Sequence, residues 1–115
     1  MDCLFCKIIE GKIASSKVYD DKNVFAFKDI SPQAPIHYLF VPKNHISSLA
    51  QFTDDTMPVM EEIFAAIRNV TKQEGHDKSG FRIAINTGQH GCQTVHHLHV
   101  HLLAGKQLGG NFSGL

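Results

Sequence analysis

The sequence predicts an α+β fold: a mainly antiparallel five-stranded sheet with one long and one short helix. Three observations carry that prediction. Segments with strand-like alternation lie both before and after one long amphipathic stretch, instead of alternating with helices as parallel units do. The 115 residues suit one modest core and are too few for two, so 1–115 reads as a single domain. No internal repeat, low-complexity tract or linker divides the chain.

Residues 3–10 place Leu4/Phe5, Ile8 and Ile9 at helical spacing and predict the short helix, which Gly11 would stop. Residues 18–20 and 24–28 flank Asp21-Lys22-Asn23 and predict a hairpin. Residues 31–35 form a loop, because Pro32 and Pro35 break any ladder. Residues 37–41 predict a strand closed by Pro42. The long helix follows Phe52, with Met60, Ile63, Phe64, Ile67 and Val70 as its apolar stripe. Asp54 or Asp55 is its expected cap, Pro58 fits the first turn, and Gly75 is the expected terminator. Residues 81–86 alternate as a strand, 87–91 form a polar loop, and 94–103 form the last strand. The glycine-rich segment 105–115 is expected to be irregular.

The composition is 43% hydrophobic and 19% charged, with a formal net charge of zero. That balance argues against a protein built to coat nucleic acid or an anionic membrane, and leaves room for a small anionic ligand. The N-terminus lacks a basic region followed by an apolar stretch, and no apolar run approaches the roughly 18 to 20 residues of a membrane span. The expected compartment is the cytoplasm. Three cysteines give no disulfide framework. In a reducing compartment, Cys3-x-x-Cys6 reads as a metal or redox pair, or as free thiols.

Four of the eight histidines fall between His96 and His101. On a strand, His97, His99 and His101 share one face, while Leu98, Val100 and Leu102 share the other and face the long helix. His96 falls on the apolar side of that alternation and receives no catalytic role. His76 is expected in solvent, and the sequence does not place His37 or His90. The three aligned imidazoles admit three readings: a solvated polar face, a zinc site, or a catalytic site for an anion. The preceding segment favours the third. Gly88 and Gly91 permit close backbone approach, and Gln93 and Thr94 add donors. Together these groups suit a phosphate whose charge is redistributed during reaction. There is no Walker-type loop.

His97-Leu98-His99-Val100-His101-Leu102-Leu103 resembles the signature of the histidine-triad (HIT) family. Asp29-Ile30-Ser31-Pro32-Gln33-Ala34-Pro35 and Val41-Pro42-Lys43-Asn44-His45-Ile46 resemble its two other motifs, in the right order. The ending Leu103-Ala104-Gly105-Lys106-Gln107-Leu108 is similar to the Hint-type branch, the nucleoside phosphoramidases. The resemblance covers nearly the whole chain and implies a HIT fold and a homodimer. It implies cleavage of the P–N bond of purine nucleoside 5′-phosphoramidates, such as AMP linked to an amine, through a covalent nucleotidyl-histidine.

By position, the resemblance implies that His99 is the nucleophile, with His101 and Thr94 binding phosphate and helping to protonate the leaving amine. Thr94 stands where that branch usually carries serine. Asn86, Gln93 and the backbone amide of Cys92, which replaces a usual glycine, would complete the phosphate site. Asp29 would hold the ribose hydroxyls, Ile30 would line the pocket, and Phe5, Ile8 and Phe27 would sandwich the base. Composition alone would read those last three as ordinary core. The resemblance further implies structural zinc on Cys3, Cys6, His45 and His97, with no catalytic cofactor. Alternatives are a zinc hydrolase with metal-activated water, a dinucleoside polyphosphate hydrolase of the same family, and a nucleotide-binding scaffold with incidental hydrolysis.

Overall fold

In the computed structural model, which describes residues 3–110, five strands form a single sheet of order β1-β2-β3-β5-β4. The strands are β1 (Lys17–Asp20), β2 (Val24–Lys28), β3 (Ile36–Pro42), β4 (Arg82–Ile85) and β5 (Val100–Ala104). Every neighbouring pair is antiparallel. The helices are α1 (Leu4–Ile9), α2 (Met57–Glu74) and the short α3 (His76–Ser79), with a single 3-10 turn at Leu49–Gln51. The α+β expectation therefore holds, with two helical pieces more than the sequence suggests.

The sheet separates two apolar clusters. Strand residues of one parity (Val24, Ala26, Tyr38, Phe40, Val100 and Leu102) pack with Met60, Ile63, Ala66, Ile67 and Val70 of α2. Residues of the other parity (Phe25, Phe27, Leu39 and Val41) pack with Cys3, Phe5 and Ile8 around α1. The alternation of side chains along each strand produces this division. In sequence it shows as apolar runs such as 38–41, which a strand covered on both faces requires.

Three details differ from the sequence reading. Neither Asp54 nor Asp55 caps α2. Its N-cap is Thr56, which makes no side-chain cap bond to the helix. Instead the Thr56 hydroxyl accepts from the Thr53 amide at 2.8 Å, so a local threonine turn starts the helix. Phe64 is 44% exposed, whereas Ala66 and Thr71 are buried. The covered stripe centres on 60, 63, 67 and 70, and residue 64 lies at its margin. Finally, the last strand begins at Val100, not at residue 94. The preceding segment bonds elsewhere: the Leu98 amide donates to the Ile46 carbonyl at 2.7 Å, and His97 and His99 bond to backbone carbonyls. Gly75 ends α2 in the left-handed conformation, as expected. Of the tail, residues 111–115 lie outside the described part.

Ile63 is fully buried at the centre of the larger cluster. Ile63→Ala is expected to cost about 3 kcal/mol in urea denaturation, from lost transfer energy and the cavity left behind. A loss below about 1 kcal/mol would mean that α2 is not seated on the sheet as described.

Candidate active site and metal centre

On the α1 side of the sheet lies a cavity of about 440 Å³. Phe5, Ile8 and Phe27 form its apolar wall, and Asp29, Asn86, Cys92, Thr94, His99 and His101 also line it. Leu4, Ile13 and Ile30 stand at its rim, with Ile30 almost entirely exposed at 96%. Residues from five separate segments are thus brought together. Phe5 sets its ring edge-on to Phe27, with centroids 5.4 Å apart, and to His99 at 5.1 Å. The aromatic floor and the imidazoles therefore form one packed unit.

Backbone groups fix the protonation pattern of the histidines. His99 Nδ1 lies 2.8 Å from the His97 carbonyl. A carbonyl only accepts, so Nδ1 carries the proton and Nε2 keeps its lone pair. His97 Nε2 donates likewise to the Pro42 carbonyl at 2.8 Å. The Gln33 amide donates to His37 Nδ1 at 3.0 Å, so His37 Nε2 carries the proton. It faces His101 Nδ1 at 2.9 Å and the Asp29 carboxylate at 3.4 Å. His101 thereby accepts at Nδ1 and presents N–H at Nε2. Burial pushes His37 and His99 below the usual imidazole range. Burial, with the neighbouring His99 and His37, pushes His101 down to about 4. All three are neutral imidazoles at pH 7.

The sequence alone does not place His37, yet it is the group that orients His101. The available signal was parity: on β3, His37 shares its face with Leu39 and Val41, the face turned to α1. The register pairs His37 with Leu103 and Leu39 with His101, which makes the two histidines diagonal neighbours on one face.

The loop before the histidines distributes its expected donors differently. The Gln93 side chain does not line the cavity. Its amide nitrogen donates to the Ser47 and Val95 carbonyls at 2.6 and 3.0 Å, and its oxygen accepts from the Gly88 amide at 2.9 Å. It holds the loop together. The Cys92 amide donates to the Gln89 carbonyl at 3.1 Å, and Cys92 has φ 61°, in the left-handed region. A side chain is strained there, which explains why glycine suits the position. At Gly91 a Cβ atom would stand 2.5 Å from the Thr87 carbonyl oxygen. Asp29 uses one carboxylate oxygen to accept from the Ser31 amide at 2.8 Å. His96 is exposed, outside both cores, and His76 is half-buried beside Glu74 at 3.2 Å.

Directly behind the imidazoles, ligand atoms of Cys3, Cys6, His45 and His97 lie within 4.8 Å of one another. His97 Nδ1 stands 3.4 Å from Cys3 Sγ and 3.6 Å from Cys6 Sγ, and His45 Nδ1 stands 3.4 Å from Cys6 Sγ. Tetrahedral zinc with ordinary bond lengths separates a sulfur and a nitrogen ligand by about 3.6 Å, so the set fits. His97 offers the bare nitrogen because Pro42 holds the other, the outer-shell arrangement expected of a ligating imidazole. Burial and the adjacent Cys3 push the Cys6 thiol up to about 11. A divalent cation is what would let both thiols ionise together. Asp29, His37 and His101 also lie within 4.8 Å of one another. A cation there would need the Nε2 lone pair of His37 while Nδ1 keeps its own for Gln33, and a neutral imidazole has only one.

Residues 2–112 match the family model described as scavenger mRNA decapping enzyme C-term binding. A 14 kDa zinc-binding protein of Brassica juncea is 43% identical over 109 residues, covering 93% of this chain and 96% of its own. Adenylylsulfatase HINT1 of Arabidopsis thaliana is 41% identical over 107 residues, covering 91% of this chain and 72% of its own. Among solved structures, a histidine triad protein from Clostridium difficile superposes with a TM-score of 0.94 at 47% identity, covering 97% of both chains.

Two outcomes test this geometry. His101 titrates near 4 when folded and near 6.5 when unfolded, so below about pH 6.5 the unfolded chain binds the extra proton. The stability of the neutral site is complete about one unit above that pH and is lost as pH falls through it. Its contribution is expected to drop by about 2 kcal/mol between pH 7.5 and pH 5, read by urea denaturation. At Cys92, replacement by glycine is expected to be neutral or stabilising. Cys92→Val is expected to cost about 1 to 2 kcal/mol in the same assay, because a β-branched side chain tolerates positive φ poorly.

Proposed function

Because the chain belongs to the histidine-triad family, we propose that it is a hydrolase of purine nucleoside 5′-phosphoramidates, cleaving AMP from an amine through a nucleotidyl-histidine. The observation that carries this reading is the bare Nε2 of His99. It belongs to a buried neutral imidazole whose other nitrogen is pinned by the His97 carbonyl. That is the state a nitrogen nucleophile needs.

The substrate would seat its base against Phe5, Ile8, Phe27 and Ile30, and its ribose hydroxyls at Asp29. Asn86 and Thr94, both on the cavity lining, would face the phosphate. His99 Nε2 attacks phosphorus as the P–N bond breaks. The anionic phosphate beside His101 favours proton uptake at its Nδ1. The His37 Nε2–H that Nδ1 accepted at rest would then turn to the Asp29 carboxylate, 3.4 Å away, and the Nε2–H of the charged His101 passes to the departing nitrogen. The Asp29 carboxylate, behind His37, supports the same charge. Water then attacks the nucleotidyl-His99 and gives its proton to the neutral His101. Nucleoside monophosphate leaves and His99 returns to its starting tautomer. The sum is one water consumed, with AMP and a free amine formed.

We assign zinc to Cys3, Cys6, His45 and His97 in a structural role. Four protein ligands leave no position for water, which favours a nucleophilic imidazole over metal-activated hydroxide. When bound, the ion would supply cross-linking of α1 to the histidine segment. The exposed edge strand β4, with Ile83 and neighbouring Phe81 uncovered, supports a homodimer. Among the described residues no helix is long and apolar enough to cross a membrane, and we propose action in the cytoplasm.

The Arabidopsis relative is named for a reaction in which sulfate leaves adenylate. Sulfate departs without a proton, so the two leaving groups separate the roles of the two histidines. His99→Ala is expected to abolish turnover of both AMP–amine and adenylyl sulfate. It should also abolish the nucleotidyl-protein adduct that mass spectrometry is expected to detect in the parent after quenching in alkaline denaturant, where a phosphorus–imidazole bond survives. His101→Ala is expected to lose on the order of 100-fold on the amine substrate and markedly less on adenylyl sulfate. A variant lacking His99 that still turns over AMP–amine at the parent rate would sink the mechanism.

A further inference from the structure

We infer that the Cys3–Cys6–His45–His97 cluster is a metal switch for the nucleotide cavity, so that a bound divalent cation and a bound nucleoside monophosphate strengthen one another. The inference rests on the nucleotide and zinc readings above and adds their mutual regulation.

Three connections run from the cluster to the cavity. The shortest passes through a single residue. His97 directs Nδ1 at both sulfurs, while its own carbonyl holds Nδ1–H of His99 at 2.8 Å. Whatever fixes the position of the His97 ring also fixes the acceptor that orients the nucleophile. The second connection is α1. This helix has six residues, too few to persist without outside support. It is capped by Cys3, whose sulfur accepts from the Cys6 amide at 3.4 Å. Phe5 and Ile8, its two buried residues, are the cavity wall. Holding Cys3 and Cys6 therefore holds the base-binding surface. The third connection is the segment carrying His45. The adjacent Ile46 carbonyl accepts from the Leu98 amide, and the Ser47 carbonyl accepts from Gln93. A cation on the four ligands thus ties α1 to the histidine segment, both of which line the cavity, and to the 45–47 segment that braces the histidine segment from behind. A nucleotide seated in the cavity presses on two of these pieces, α1 and the histidine segment, from the other side. Two ligands that order the same elements must couple, and by equal factors in both directions.

The test measures affinity in both directions. Zinc dissociation constants are determined by equilibrium competition with a chromogenic chelator, with and without saturating AMP. AMP dissociation constants are determined by calorimetry on zinc-free and zinc-loaded protein, with circular dichroism confirming that the zinc-free chain is folded. Each ligand is expected to tighten the other by at least about fivefold, and the two factors should agree. A His45→Gln variant keeps the cavity residues and weakens only the cluster. It should bind AMP weakly at low zinc and recover parental affinity at saturating zinc. Both ligands binding with no mutual change overturns this inference and leaves the proposed function standing. No AMP binding to zinc-loaded protein overturns both.

Discussion

Leu98, Val100 and Leu102 are wholly shielded from solvent beneath α2, and the rest of the site depends on that burial. Each of the three gains on the order of 2 kcal/mol by leaving water. A slip of one residue would expose all of them while driving imidazoles into an apolar core. The parity of this segment is therefore held by the larger core, on the face opposite the chemistry. His97, His99 and His101 take the other face as a consequence. Phe5, Phe27 and Leu39 lie on that same face, so the imidazoles inherit an apolar setting from the fold.

That setting creates an electrostatic problem, which backbone groups answer. Buried imidazoles are costly when charged and need partners even when neutral. The carbonyls of Pro42 and His97 and the amide of Gln33 each engage one ring nitrogen, so the tautomers of His97, His99 and His37 follow from main-chain geometry. His101 is placed by His37 in turn. No buried side-chain nitrogen or oxygen among the described residues lacks a hydrogen-bond partner. Orientation is thus built into the resting site, and little reorganisation remains for the reaction step.

Much of this was legible in the residues. Strand alternation, the glycine and proline punctuation and the α2 stripe placed the sheet and its main helix. The spacing of Cys3 and Cys6 flagged a metal pair, and the run from His97 to His101 flagged the site. What escaped depends on contacts between segments distant in sequence. His37 gains its meaning only from a diagonal neighbour 64 residues away. Gln93 looked like a free donor beside the histidines, yet it is consumed by carbonyls that no local pattern reveals. Phe64 lies at the margin of a stripe whose exact centre is set by packing. The threonine turn ahead of α2 displaced a conventional acidic cap because two threonines can satisfy one another locally. The strand at residue 94 was over-extended because alternation continues where ladder pairing has already stopped.

The apolar rim of the cavity has a thermodynamic consequence. Leu4, Ile13 and Ile30 stand exposed to water beside the buried wall of Phe5, Ile8 and Phe27. A flat heterocycle laid across them would release ordered hydration from surface that folding left uncovered. Association should therefore carry a negative heat-capacity change, and its enthalpy should grow more favourable as temperature rises. In that respect the open mouth of the site is a piece of hydrophobic core left for the ligand to complete.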